Sequence, residues 1–512
     1  MYPGTYAALT PDKPAVVHSG TGASISYAQL DENSIRLARF LTEAGVRPGE
    51  DVALLSDNDP RCFEVFWAAM RSGRYLTAVN RHLSVAEAAY VLNDCGAKVI
   101  VVSAGLAELA QALIPLTPNI EHRLVFDGEL AGHESYSDAL ASVSAEPLAD
   151  QPCGADMLYS SGTTGRPKGI KLPLPQRQVD EPGDLVVASF QRLCGFDEHS
   201  VYLSPAPIYH AAPLRFSGMV QALGGTVVLM PRFDAEAALA AIERYQVTHS
   251  QWVPTMFVRM LKLDEATRTK YDLSSHRVAI HAAAPCPIEV KRRMIEWWGP
   301  ILFEYYACTE RNGVTAIGSA EWLEKPGSVG RAATGIVHIC AEDGSEVPVG
   351  EVGVVYWEND EQMFSYHNDP VRTSEAQHPN HPLWTTVGDI GRVDEDGYLF
   401  LTDRKAFMII SGGVNIYPQE IEDCFALHPM VDDVAVIGVP DEEMGEVVKA
   451  IVQPAAGATP GPALAEELLS YARERIAHYK CPATIDFSYD LPRTPTGKLV
   501  KGELRERYLS KN

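Results

Sequence analysis

Apolar residues recur at helical spacing through Leu30, Leu37, Ala38 and Leu41, with the small Ser34 among them, and the pattern stops at Gly45. That spacing predicts a helix with one buried face, ended by glycine. The unbroken apolar run 52–55 then predicts a short strand covered on both sides. The alternation continues with a helix at 62–71, a strand at 76–79, a helix at 85–93 and a strand at 98–102. It returns as a strand at 225–230, a helix at 235–245, a strand at 278–282, a helix at 287–298 and a strand at 301–306. Repeated βα units of this kind predict an α/β fold of parallel sheets with helices on both faces. The pattern changes near residue 400. Segments 398–402 and 406–410 read as a strand pair around Asp403-Arg404-Lys405, followed by a helix at 421–427, strands at 434–439 and 449–452, and a helix at 464–478. This is the content of a small separate α+β domain.

A chain of 512 residues is too long for a single hydrophobic core, so more than one domain is expected. The formal net charge of −24 argues against nucleic acid or an anionic membrane as partner. The nine cysteines are scattered without a Cys-x-x-Cys pair, which reads as reduced thiols in a cytoplasmic protein. No basic-then-apolar leader opens the chain, and no apolar run approaches the roughly 18 residues of a membrane span.

Candidate chemistry concentrates at residues 159–169, Tyr-Ser-Ser-Gly-Thr-Thr-Gly-Arg-Pro-Lys-Gly. The hydroxyls of Ser160, Ser161, Thr163 and Thr164 are interleaved with Gly162, Gly165 and Gly169, and Lys168 closes the segment. Glycines permit tight turns that aim N–H groups at an anion. Hydroxyls add donors and the ammonium neutralises charge, so the segment suits a polyphosphate. It lacks the Gly-Lys-Ser/Thr order of a Walker A loop. It follows a strand predicted at 157–160, and strand carboxyl ends are where α/β sheets bind ligands. Glu304-Tyr-Tyr-Ala-Cys-Thr-Glu310 ends another strand in a hydroxyl and a carboxylate. A carboxylate facing a polyphosphate calls for a metal between them, and Mg²⁺ is held by few carboxylates plus phosphate oxygens. Near the C-terminus, Lys498 ends Pro492-Arg-Thr-Pro-Thr-Gly-Lys, a loop able to deliver an ammonium to a distant site.

Together these segments resemble the adenylate-forming enzymes: acyl-CoA synthetases, peptide-synthetase adenylation domains and firefly-type luciferases. The resemblance covers residues 27–501. It implies an N-terminal AMP-binding and acyl-substrate domain, 1–403, of helix-covered sheets with a small β subdomain. A small, mobile α+β lid domain, 404–512, would follow. ATP, Mg²⁺ and CoA are the implied cofactors, and a small carboxylic acid the substrate; self-association into a homodimer is left open. By the match, residues 160–165 and Lys168 hold the phosphates, Thr309 contacts them, and Glu310 and Thr163 face the metal. Glu304, Tyr305 and Tyr306 belong to the nucleotide site, with Tyr306 on adenine. Ala283, Ala284 and Pro285 resemble a Gly-Gly-Ala-Pro turn along the same ring. Asp389, in Trp384-Thr-Thr-Val-Gly-Asp389, and Arg404 resemble the ribose-binding pair. Lys498 resembles the lysine that bridges carboxylate and α-phosphate during adenylation. His210, Trp252 and Ala307 fall beside the acyl pocket. Ser411, Gly412 and Gly413 resemble the pantetheine-tunnel loop, and Lys480 and Arg475 are placed for CoA phosphates.

The chain departs from the family at several positions. Ala307 and Tyr305 replace glycines, which narrows the acyl tunnel and favours medium-length, branched or ring-bearing acids. Val387 replaces a threonine near Asp389. The hinge pivot falls on Ala406 or Lys405. No carboxylate follows Tyr209-His210, so an α-amino group on the substrate is not expected. The resemblance implies an AMP-forming acid–thiol ligase making acyl-CoA. The alternatives are a free-standing adenylation enzyme that loads a carrier protein, a luciferase-like oxygenase and a non-catalytic nucleotide-binding paralogue.

Overall fold

The computed structural model describes every residue except 1, 161–166, 405–406, 442, 494–498 and 510–512. Two large sheets dominate. One runs, in spatial order, Ser365–Tyr366, Lys168–Lys171, Ala155–Ser160, Tyr75–Ala78, Asp51–Leu55, Val99–Ser103, His122–Phe126 and Glu134–Ser135. From Ala155–Ser160 onward its pairings are parallel, while Lys168–Lys171 returns antiparallel. The other runs Arg331–Thr334, Val314–Gly318, Leu302–Ala307, Val278–His281, His249–Trp252, Val201–Ser204, Thr226–Leu229, Pro14–His18 and Ser24–Ser26. Its central strands are parallel and almost wholly buried, as continuous apolar runs require.

The helix Cys62–Met70 is buried on every side, as its all-round apolar sequence demands. It packs near helix Ala211–Ala222 so closely that a Cβ on Gly218 would lie 2.6 Å from the Phe66 ring. The carboxyl ends of the two sheets are stapled by Asn58. Its Nδ2 donates to the carbonyls of Ala206 (3.1 Å) and Met230 (2.8 Å), and its Oδ1 accepts from Ile208 N (3.0 Å). Helix boundaries follow local chemistry: Ser26 and Ser84 each form a capping box, at the starts of Tyr27–Glu43 and Val85–Cys95.

Two smaller sheets complete the described residues. The first joins Ile336–Cys340, Gly353–Glu358, Asp389–Val393 and Leu399–Arg404, with Trp384–Thr385 alongside. The second joins Val414–Ile416, Ile409–Ser411, Gly445–Pro454 and Val431–Asp441, with Thr484–Phe487 alongside. The strand pair expected around residue 404 is therefore two strands in different sheets. Leu399–Arg404 runs against Asp389–Val393, whereas Ile409–Ser411 folds back on Val414–Ile416. The two-residue connection Gly412-Gly413 takes positive φ at both positions, which gives the twist a tight hairpin needs. No helix among the described residues is long and apolar enough to cross a membrane.

Candidate functional site

Strand Ala155–Ser160 and strand Lys168–Lys171 form a hairpin in which Ser160 faces Lys168 and Tyr159 faces Gly169. The glycine-rich tip between them, with Ser161, Gly162, Thr163, Thr164 and Gly165, lies outside the described residues. Position 169 has to be glycine, because a Cβ there would lie 2.9 Å from the Tyr159 ring and 3.1 Å from His367 Cβ. Strand Ser365–Tyr366 adds to the hairpin's outer edge, and His367 N donates to Gly169 O (2.8 Å). The addition brings Tyr366 to two predicted site residues at once. Lys168 Nζ sits 5.1 Å over its ring, and its hydroxyl donates to Glu310 Oε1 (3.0 Å). Tyr366 carries no motif signal of its own, because its partner Glu310 lies 56 residues away.

Glu310 is buried. Among the described residues no group of three or more His, Cys, Asp or Glu side chains could hold a metal. A lone carboxylate beside a phosphate-type loop fits Mg²⁺, which keeps waters and takes nucleotide oxygens, better than it fits a metal needing a protein cage.

Strand Leu302–Ala307 aims successive side chains at different walls. The Tyr306 hydroxyl donates to Asp389 Oδ2 (2.6 Å), joining the residue expected on adenine to the one expected on ribose. Asp389 also stands directly opposite Arg404 in the antiparallel ladder; the Arg404 side chain lies outside the described part. Tyr305 points the other way, into a three-ring cluster with Phe190 (centroids 5.3 Å apart) and Phe216 (5.7 Å), and its hydroxyl accepts from Gln251 Nε2 (3.0 Å). Glu304 is buried, and its Oε2 lies 2.5 Å from Lys291 Nζ, so its carboxylate is engaged by the protein itself. Burial raises the Glu304 carboxyl above the usual range, an effect the Lys291 ammonium opposes.

Ala283 has φ +76, a left-handed backbone where the resembling turn has glycine. Its side chain is exposed, and the Ala283-Ala284-Pro285 backbone lines the cavity, leaving an open strip beside Tyr306. His210 is the N-cap of helix Ala211–Ala222, with its ring 4.5 Å from that of Tyr209. The Trp252 indole is buried, 1% exposed, its Nε1 donating to Ser250 Oγ (2.6 Å).

One cavity of about 1630 Å³ collects these groups. Ser160, Lys168, His210, Trp252, Ala283, Ala284, Pro285, Glu304, Tyr305, Tyr306, Ala307, Thr309, Glu310 and Asp389 all line it. Its far wall comes from the C-terminal region, through Glu422, Asp433, Arg493, Leu499 and Lys501. Lys498 lies outside the described residues, but the base of its loop is fixed where Arg493 pairs with Leu499. Arg493 is also bound to Asp433, and Lys501 to Glu422 (3.0 Å). Ser411, Gly412, Gly413 and Lys480 are not among the lining residues, and Lys480 is paired with Glu420 (2.7 Å). Sequence reasoning also passed over Asp156 and Arg215. They form a two-pronged pair (3.0 and 2.7 Å), 59 residues apart in the chain, with Asp156 near the start of the strand that leads into the phosphate hairpin.

Comparison with known proteins fits this geometry. Residues 5–367 match the AMP-binding enzyme family, and residues 420–498 match the AMP-binding enzyme C-terminal domain. The chain is 36% identical to a feruloyl-CoA synthase of an Amycolatopsis species, over 99% of this chain and 98% of that one. It is 33% identical to the long-chain-fatty-acid–CoA ligase FadD13 of Mycobacterium tuberculosis, over 98% and 97%. Among solved structures, the anthranilate CoA ligase AuaEII in complex with anthranoyl-AMP superposes with a TM-score of 0.85 at 25% identity, covering 99% of this chain and 96% of that one.

Proposed function

The chain belongs to the AMP-binding enzyme family, and from that premise we propose how its cavity works and which acids it takes. It is an AMP-forming acid–CoA ligase: a carboxylate attacks the α-phosphorus of ATP, pyrophosphate leaves, and the CoA thiol then displaces AMP from the acyl-AMP. The observation that carries the site assignment is the convergence of the Lys168 hairpin, the Ala283–Pro285 strip, Tyr306–Asp389 and Glu310 on one cavity. Adenine lies along the strip against Tyr306, and Asp389 accepts from the ribose hydroxyls. Residues 160–165 donate hydrogen bonds to the phosphates, and the Lys168 ammonium offsets their charge. Mg²⁺, when bound beside Glu310 and Thr163, supplies charge neutralisation on the phosphate oxygens. The protein's contribution is positioning and preorganised charge. His210 stands at the acyl side of the reacting carboxylate. CoA enters past the C-terminal residues, with Ser411, Gly412, Gly413 and Lys480 brought to the cavity only by a movement of that region about residues 405–406.

The test of this reading is a panel of carboxylic acids, scored for pyrophosphate release and, by mass, for acyl-CoA. Acyl-CoA formation is the expected result. Pyrophosphate without acyl-CoA would point to another acceptor, and no pyrophosphate with any acid would overturn the assignment.

Glu310→Gln is expected to raise the Mg²⁺ concentration needed for half-maximal pyrophosphate release. Tyr366→Phe, which keeps the ring under Lys168 but removes the hydroxyl from Glu310, is expected to produce a smaller shift in the same direction. Manganese titration of the enzyme–ATP complex by paramagnetic resonance checks both. Identical titrations in all three proteins would rule out the carboxylate as a metal ligand.

The acyl side of the cavity is walled by Phe190, Phe216, Tyr305 and Ala307. Such a wall favours ring-bearing, branched or medium-length acids over long straight chains, since even a methylene-sized misfit costs about 1–3 kcal/mol. Ala307→Gly is expected to shift the preference toward longer chains. Turnover across a chain-length series in both proteins decides it, and a wild type that already prefers palmitate-length acids would refute the idea.

A further inference from the structure

Residues 310 and 311 are neighbours whose side chains serve different walls. Glu310 turns toward Tyr366 and the phosphate hairpin. Arg311 follows at φ +57, a left-handed backbone that few side chains other than glycine adopt without cost, and such outliers cluster at functional sites. Its guanidinium reaches the opposite way, toward Asp156, which Arg215 already holds through two hydrogen bonds. Arg215 also donates to Thr309 O (3.3 Å).

Two guanidinium groups therefore share one carboxylate. Burial by itself would raise the Asp156 carboxyl, but Arg215 and Arg311 outweigh it and hold the group below the usual range. Asp184, the other carboxylate acting on Arg311, is occupied in capping helix Leu185–Cys194, where it accepts from Val186 N (3.0 Å) and Val187 N (3.1 Å). Arg311 carries five N–H donors. Its one side-chain hydrogen bond among the described residues is a 3.5 Å contact to Asp156; the side chain is 34% exposed, and Arg311 is one of the residues lining the cavity. Asp184 caps the helix that carries Phe190, and the Arg215 guanidinium acts on the Tyr305 hydroxyl of the same ring cluster, so these charged groups adjoin the acyl wall.

Building on the ligase reading, we propose that Arg311, backed by Arg215 on Asp156, recognises an anionic oxygen at the end of the acid remote from its reacting carboxylate. The preferred substrates are then acids with a second carboxylate or an equivalent oxyanion, held at the far wall of a ring-lined pocket. A guanidinium binds a carboxylate through two parallel N–H donors, a strong and directional contact.

The test is equilibrium binding of inert acyl-AMP mimics, acylsulfamoyl adenosines, in matched pairs: hexanoyl against adipoyl, and phenylacetyl against 4-carboxyphenylacetyl. In at least one pair the carboxylated member is expected to bind the wild type about 10–100-fold tighter. Arg311→Leu and Arg311→Gly should both bring that ratio to within about twofold, the expectation for a lost charge-assisted contact. Glycine accepts the left-handed backbone, so Arg311→Gly removes the guanidinium with little risk to the fold. Equal binding of both members by the wild type would overturn the subsite alone. So would a ratio that survives both variants, or an equal weakening of both members, which would put Arg311 on the nucleotide. Failure of every mimic to bind would overturn the ligase reading together with the subsite.

Discussion

Lys498→Ala is expected to lose about 10²–10³-fold in acyl-adenylate formation, the usual cost of deleting one donor aimed at charge that develops in the transition state. Thioester formation from supplied acyl-AMP should be nearly unaffected, because phosphorus chemistry is already complete in that half-reaction. The physical support is the anchoring of the loop. Arg493 on Asp433 and Lys501 on Glu422 bracket the lysine, and all four anchoring residues line the cavity that holds Asp389 and Tyr306. On this expectation, delivering an ammonium to the cavity from between two such anchors orders only a short segment and costs little entropy. Separate assays of pyrophosphate release and of acyl-CoA formation from acyl-AMP check the claim. Equal damage to both halves would refute it.

Glu304→Leu is expected to destabilise the protein by about 3–5 kcal/mol, the cost of breaking a buried pair from one side. Lys291 is fully buried, lies over the Trp322 ring at 4.7 Å, and has Glu304 as its carboxylate at 2.5 Å. Without that carboxylate, the ammonium is left in a low-dielectric interior. The double variant Glu304→Leu/Lys291→Met should recover most of the loss, because replacing a whole buried pair by apolar groups is often neutral. Denaturant midpoints of the wild type, both single variants and the double variant form the test. A Glu304→Leu midpoint equal to wild type would show that the pair contributes nothing. The same strand carries Tyr305 and Tyr306, so the single variant should also weaken ATP binding.

The parts of this molecule legible in the sequence are those with local causes. Helix Tyr27–Glu43 is written in its apolar spacing and in the Ser26–Gln29 capping box. The helix-and-strand alternation that builds the large sheets repeats the same local signals. The phosphate hairpin is legible because glycine, hydroxyl and lysine fall within a few residues of one another. What escaped was pairing over distance. Alternating apolar positions at 398–402 and 406–410 look alike whether the strands pair with each other or join separate sheets, and here each pairs with a different strand. Tyr366 gains its place from an edge strand added to the hairpin, and Arg215 from helix Ala211–Ala222, which carries it to Asp156. Glu304 reads from its motif as a nucleotide-site residue. Only the position of Lys291, one turn into helix Ile288–Trp298, reveals its engagement with the core.

The strand Pro14–His18 has a consequence for how the protein is made. It pairs in parallel with Thr226–Leu229, and nearby Tyr27 Oη donates to Gln221 O (3.1 Å) and Gly225 O (2.7 Å). This strand thus has its parallel neighbour about two hundred residues downstream. At ordinary elongation rates that neighbour arrives roughly 10–40 s later. Through that interval Ala15, Val16 and Val17, all buried in the finished protein, have only the short antiparallel strand Ser24–Ser26 as a partner. A nascent chain with such an edge is a natural client for chaperones that hold apolar segments. Shortening the wait, by moving residues 1–26 behind the strand they serve in a circular permutant, should raise the soluble yield.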